Sequence, residues 1–141
     1  MKRILGIDMG EKRIGLAVSD PLGITAQGLE TLPNEGPKKV LSALARIAKE
    51  YEVGEAVVGL PMNMNGTTGP KAQEVLQWVP ELERALGIPV ATWDERLTSR
   101  QAGRAMTEGG VSGQKQRQNA DRLAAILILQ GYLESKRPRS I

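Results

Sequence analysis

The sequence predicts an α/β fold: a mixed five-stranded sheet, its first three strands antiparallel, with helices on both faces. Three observations point there. Two apolar runs, "RILGID" (3–8) and "RIGLAVS" (13–19), stand one turn apart. A third run follows closely. Two later runs, "EAVVGL" (55–60) and "IPVATWD" (88–94), are each preceded by a segment of helical periodicity. Neighbouring strands first and crossover helices afterwards give antiparallel and then parallel pairing.

The turn "MGEK" closes the first two runs into a hairpin. "ITAQGLETL" (24–32) reads as the third strand, and "NEGP" then breaks the chain. From Lys38 to Tyr51 the residues Val40, Leu44, Ile47 and Tyr51 mark one face of a helix, closed by Gly54. "EAVVGL" is continuously apolar, as a strand buried in a parallel sheet must be. "PMNMNGTTGP" (61–70) is a loop. A second helix follows from Lys71 to Leu86, with Ala72, Val75, Val79, Leu82 and Leu86 on one side. Pro80 inside it is expected to kink it. "IPVATWD" is the fifth strand. Thr98 can cap a short helix that ends near Gly109 and Gly110. "SGQKQRQN" (112–119) reads as a polar, basic loop, and a last helix covers roughly 117–134. Residues 135–141 read as a flexible tail. There are no repeats and no long linkers, so residues 1–141 are expected to form one domain.

Composition narrows the chemistry. The chain has no Cys and no His, which excludes disulfides, thiolate or imidazole metal ligands and histidine general bases. The lack of Cys fits a reducing cytoplasm. Carboxylates, hydroxyls, amides, Lys, Arg or a hard metal remain. The net charge of +3 is compatible with an anionic partner without identifying one. No run approaches the ~18 apolar residues of a membrane span, and no signal peptide is read at the N-terminus.

Three acidic stretches stand out. Asp8 ends the first strand and shares a face with Gly6 and Ile4. On the second strand Gly15, Ala17 and Ser19 form another face of small residues. Such a face suggests room for something bulky beside Asp8; the alternative is a carboxylate that caps the turn onto Gly10. Asp94 and Glu95 fall where a strand gives way to a helix, a place where open α/β sheets put sites. They equally suit the positive end of a helix dipole. Asp121 precedes an apolar helical run; it is a site residue, or one paired with Arg122 or Lys115, or one simply exposed at the helix start. Carboxylates from three separate elements make chemical sense together as ligands for Mg²⁺ or Mn²⁺. Two such ions can activate a water and stabilise a leaving oxygen.

Four stretches, "GIDMGEKRIGLAVSD", "VVGLPMNMNGTTG", "WDERLTSRQA" and "NADRLAAILILQGYL", together resemble the YqgF/RuvX family, in the family's order and across nearly the whole chain. That family is similar to RuvC-type resolvases within the RNase H-like superfamily. The resemblance implies an RNase H-like fold and a metal-dependent nuclease, with Asp8, Glu95 and Asp121 as catalytic, metal-binding acids. It implies action on the 5′ end of precursor 16S ribosomal RNA, within ribosomal precursor particles, or on Holliday junctions, and decides neither. Ala120 departs from the family's usual Val or Ile.

Beside Asp8, the loop residues Asn63, Asn65 and Thr67 become candidate substrate contacts, since amides and hydroxyls suit a nucleic-acid backbone. Without the resemblance a plain surface turn would be preferred. Arg13, Arg96 and Lys115 are candidate phosphate contacts, Arg13 and Arg96 foremost. Trp93 is expected in the core rather than as a stacking platform. Two other functions compete with this one. "GIDMG" also resembles the first phosphate loop of sugar kinases and actin-like ATPases, but 141 residues do not hold the two domains those need. A non-catalytic RNA-binding assembly factor is the other; intact acids argue against it. A junction resolvase making paired cuts should be a homodimer, whereas a ribonuclease can act as a monomer.

Overall fold

The computed structural model describes residues 2–97 and 113–136. The chain forms β1 (Arg3–Met9), β2 (Arg13–Ser19), β3 (Ala26–Gly28), β4 (Leu32–Pro33), α1 (Pro37–Glu50), β5 (Val53–Leu60), α2 (Pro70–Leu86) and β6 (Val90–Asp94). A single 3₁₀ turn, Glu95–Leu97, follows, and α3 (Gly113–Lys136) comes last.

The sheet order is β3-β2-β1-β5-β6, with β4 also paired to β2. β2 is antiparallel to β1, β3 and β4, while β1, β5 and β6 run parallel. The expected mixed sheet is present, with six strands rather than five. The stretch 24–32 splits in two: Ala26–Gly28 pairs with one end of β2 and Leu32–Pro33 with the other. At Gly28 the Arg122 side chain of α3 presses so close that a Cβ would meet it at 2.7 Å.

Each strand alternates between two cores. Leu5, Ile7, Ile14, Leu16, Val18, Ala56 and Val58 face α1 and α2, which contribute Val40, Leu44, Val75 and Leu82. On the other face Ala17 and Val57 meet Ala125, Ile128, Leu129 and Leu133 of α3. With no Phe in the chain, this packing is almost wholly aliphatic. Ser19 is the exception at 1% exposure; its hydroxyl accepts the Ile4 N–H at 2.8 Å, beside the register shift between Arg3 and Ile4.

One boundary differs from expectation. α3 begins at Gly113, so most of "SGQKQRQN" is helix rather than loop. Gln, Lys and Arg are good helix formers, and polarity alone does not break a helix. α2 runs unbroken across Pro80, whose ring sits on the exposed side and leaves the Leu76 carbonyl without its helical donor. The short helix expected after Thr98 lies outside the described residues, as do residues 137–141 of the expected tail; 135–136 belong to α3. Among the described residues no helix is long and apolar enough to cross a membrane.

The small-residue face has a different use from the one its composition suggested. The space is taken by α3. A Cβ on Gly6 would stand 2.8 Å from the Leu129 Cβ, and one on Gly15 would stand 2.0 Å from the Asp121 carbonyl oxygen. The helix backbone itself rests where side chains are missing. Gly15→Ala should therefore force α3 off the sheet and destabilise the protein by ~1–3 kcal/mol, the usual cost of overpacking. Denaturant unfolding of the two proteins checks this; an unchanged midpoint would contradict the close docking.

Candidate functional site

Asp8 is the penultimate residue of β1 and stands opposite Gly15 in the hairpin register. Alternation turns its side chain toward α3. Both flanks of Asp8 lack a side chain. On the β2 side Gly15 lets the backbone of Asp121 approach. On the β5 side stands Gly59, where a Cβ would lie 2.9 Å from both Cγ and Cδ of Glu95. Glu95 follows β6, two strands from β1. The bare position at Gly59 gives it a route across β5 to hydrogen-bond with Asp8. Three residues far apart in sequence thus gather at the carboxyl ends of the parallel strands, where α/β sheets place their sites.

The pair is electrostatically unusual. Burial raises Asp8 from 3.8 to about 6; the Glu95 hydrogen bond opposes this, the Asp121 charge adds to it and the Lys71 charge opposes it. Burial and the adjacent Asp8 charge raise Glu95 from 4.5 to about 8. The two carboxyls therefore hold a proton between them. The turn closes through the backbone, Gly10 N–H donating to the Asp8 carbonyl at 3.1 Å.

Among the described residues Asp121 does not form the expected ion pair with Arg122. Its Oδ2 accepts from Arg13 Nε at 3.0 Å, a contact spanning 108 residues, with both side chains about a quarter exposed. Arg13, expected to meet phosphate, is thus already occupied. Among the described residues no three carboxylates form a ready-made ligand set.

Arg96 is also committed. Its Nη2 reaches Asp94 Oδ2 at 2.7 Å, and its Nη1 donates to the Met64 carbonyl at 3.3 Å. The adjacent acids Asp94 and Glu95 thus have opposite fates, one paired with a cation and one with a carboxyl. Asn63, Asn65 and Thr67 satisfy one another: Asn63 Nδ2 donates to Thr67 Oγ1 at 3.1 Å, and the Thr67 N–H and hydroxyl donate to Asn65 Oδ1 at 3.1 and 2.6 Å. The loop is a self-contained turn, tied by Arg96 to the end of β6. Lys115 falls in the first turn of α3, and its side chain lies outside the described residues. Trp93 is core, as expected, packed on Gly131 of α3; its indole N–H has no partner among the described residues.

One site residue escaped the sequence reading. Lys71, in the first turn of α2, lowers both Asp8 and Glu95 by its charge. The available signal was position: a cation opening the helix that follows a buried parallel strand.

Residues 2–135 match the family model described as RuvX, Holliday junction resolvase. A protein of Syntrophomonas wolfei named "Putative pre-16S rRNA nuclease" is 50% identical over 132 residues, covering 94% of each chain. One of Thermoanaerobacter pseudethanolicus with the same name is 48% identical over 136 residues, 96% of this chain and 98% of the other. Among solved structures, Thermus thermophilus RuvC in complex with a Holliday junction substrate superposes with a TM-score of 0.59 at 18% identity, covering 96% of each chain. That likeness carries the fold alone.

The raised carboxyls predict a pH-dependent stability. The folded protein holds protons that the unfolded chain releases above 3.8 and 4.5. Stability is therefore full below about pH 4 and falls as pH rises through about 6 and about 8. In metal-free buffer the wild type should melt lower at pH 8 than at pH 5. Asp8→Asn and Gly59→Ala, which respectively remove the charge and separate the pair, should flatten that slope. At pH 8 Asp8→Asn should equal or exceed the wild type. Thermal melts across this range check the sign; a wild type that gains stability toward pH 8 would contradict it.

Proposed function

Because this chain belongs to the RuvX family, we propose that it is a divalent-metal-dependent nuclease that hydrolyses nucleic-acid phosphodiesters, with Asp8, Glu95 and Asp121 as its catalytic acids. The observation that supports this most is the Asp8–Glu95 pair. Two partly buried carboxyls are driven together until they retain a proton that neither would keep in water. A third carboxylate stands near enough to add to the strain. Packing alone gives no reason for such an arrangement, since neutral side chains of similar size would cost less.

The donor set fits a hard cation. All three groups offer oxygen, and a chain without His or Cys has no softer ligand to give. Mg²⁺ or Mn²⁺ is the cofactor in this proposal, held by Asp8, Glu95 and Asp121. When bound, such an ion supplies a water of lowered pKa and a counter-charge for the leaving oxygen. The chain's own residues do the rest. β1 fixes Asp8 rigidly. With a cation bound, Asp8, Glu95 and Asp121 would hold it as carboxylates, and Arg13, no longer paired with Asp121, would be available to a substrate phosphate. Arg96 and the 63–67 turn act as a fixed wall of the site rather than as free donors.

The substrate proposed is the 5′ end of precursor 16S ribosomal RNA, following the names of the relatives, with ribosomal precursor particles in the cytoplasm as its setting. Holliday junctions are the second reading, favoured by the family's description. The two differ in assembly, since paired junction cuts need two sites and hence a dimer. Incubating the protein with precursor 16S rRNA and with a four-way junction in Mn²⁺, alongside sedimentation, separates them.

Two outcomes are expected. Asp8→Asn should lower cleavage by more than the ~10–100-fold that loss of an outer-shell partner costs at metal sites. In melts, Mn²⁺ at one hundred times its Kd should stabilise the wild type by about 2.7 kcal/mol and the variant by less. Full activity in excess EDTA would overturn the mechanism. Arg13→Ala should bind Mn²⁺ more tightly than wild type by titration calorimetry, because Asp121 loses the group that competes for its oxygens, while substrate KM rises.

A further inference from the structure

One residue beyond Asp8 the sheet edge opens into a cavity of about 220 Å³, lined by Met9, Glu11, Lys71, Glu74, Val75 and Trp78. We infer that this cavity receives one unpaired nucleobase of the bound strand, stacked on Trp78, while Lys71 holds the phosphate between that base and the carboxylate site. The inference rests on the nuclease reading for its substrate, and on the cavity for its content.

Position comes first. Met9 follows Asp8, so alternation sends the two side chains to opposite faces of the same strand end. The cavity therefore begins where the carboxylate site stops. Lys71 stands between them: it lines the cavity, and its charge reaches both Asp8 and Glu95. Among the described residues it enters no ion pair, unlike Arg13 and Arg96. It is the exposed cation left over for a phosphate.

Size and chemistry select the occupant. Pockets for drug-sized ligands run ~300–1,000 Å³, so 220 Å³ suits a single planar ring system. Met9, Val75 and Trp78 supply apolar walls, and Trp78 is braced from behind by the core. The rim carries two exposed carboxylates, Glu11 and Glu74. These repel a phosphate from the cavity but accept hydrogen bonds from the amino and imino N–H groups of a base. The floor is preformed: Asn34 Nδ2 donates to the Gly10 carbonyl at 2.9 Å, and its Oδ1 accepts from the Gly36 N–H at 3.3 Å. A base can enter only when unstacked and unpaired, as in single strands, loops and junction arms. Bases bearing an amino group should be favoured over uracil.

Tryptophan emission tests this without any cleavage. Trp78 and Trp93 are the two tryptophans of the chain, and Trp93 is packed in the α3 core. The full-length protein in EDTA would be titrated with a short single-stranded RNA of mixed sequence, and with the same strand made abasic. The intact strand should quench emission and bind roughly 5- to 100-fold more tightly than the abasic one, the range that base–aromatic stacking supplies. Trp78→Leu should lose both the quenching and this preference, and Trp78→Phe should restore the preference. Lys71→Ala should weaken both strands alike, since it removes a phosphate contact. Equal binding of intact and abasic strands by wild type would overturn the proposal even if Trp78→Leu failed to fold. Asp8→Asn should keep the quenching. If wild type quenches with RNA yet cleaves nothing in Mn²⁺, the nuclease reading fails and the base site stands.

Discussion

Everything at the carboxylate cluster depends on two side chains that are not there. Gly15 and Gly59 stand on either side of Asp8, one on each neighbouring strand. At the first the backbone of α3 comes in with Asp121, and at the second Glu95 crosses β5. A methyl group at either position would meet atoms at under 3 Å, closer than packed atoms sit. The site is thus a consequence of how closely a helix and a strand end can approach a sheet. Gly6 extends the same seam along α3.

Closeness has an electrostatic cost, met locally in a different way by each acid. Asp8 and Glu95 share a proton, Asp121 borrows Arg13, and Asp94 is neutralised by Arg96. In the first, burial raises both carboxyls. A buried carboxyl pair of this kind is destabilising in isolation and becomes useful when a cation replaces the proton. This is the usual trade between stability and function at a site. Lys71 softens the cost by charge alone while its ammonium stays exposed.

The surrounding loops are rigid rather than receptive. The 63–67 turn spends its amides and hydroxyls on itself, and Arg96 ties it to the end of β6. At the opposite end of the sheet, in the loop after β2, the Asp20 carboxylate accepts the N–H groups of Ile24 and Thr25 at 2.7 and 2.8 Å and is held below the usual range by them. At the far end of α3, Tyr132 donates to Glu55 and Lys136 pairs with it at 2.7 Å, which fixes the helix along its length. Among the described residues Lys71, which lines the cavity beside the site, enters no ion pair.

The sequence by itself determined the strand–helix order, the hairpin, the apolar faces of α1 and α2, and the restriction to oxygen chemistry, because these follow from local periodicity and residue type. The resemblance singles out Asp8, Glu95 and Asp121 as candidate acids. Other features needed coordinates. That the small-residue face admits α3, that Asp121 pairs with Arg13 across 108 residues, and that Lys71 looks onto Asp8 and Glu95 are all long-range facts. That Asn63, Asn65 and Thr67 bond one another is not visible in the sequence, which lists donors without their acceptors. Gly59 shows the limit best: in "EAVVGL" it is one small residue in a strand, and only the packing of β6 and its following turn against β5 makes it the passage through which Glu95 reaches Asp8.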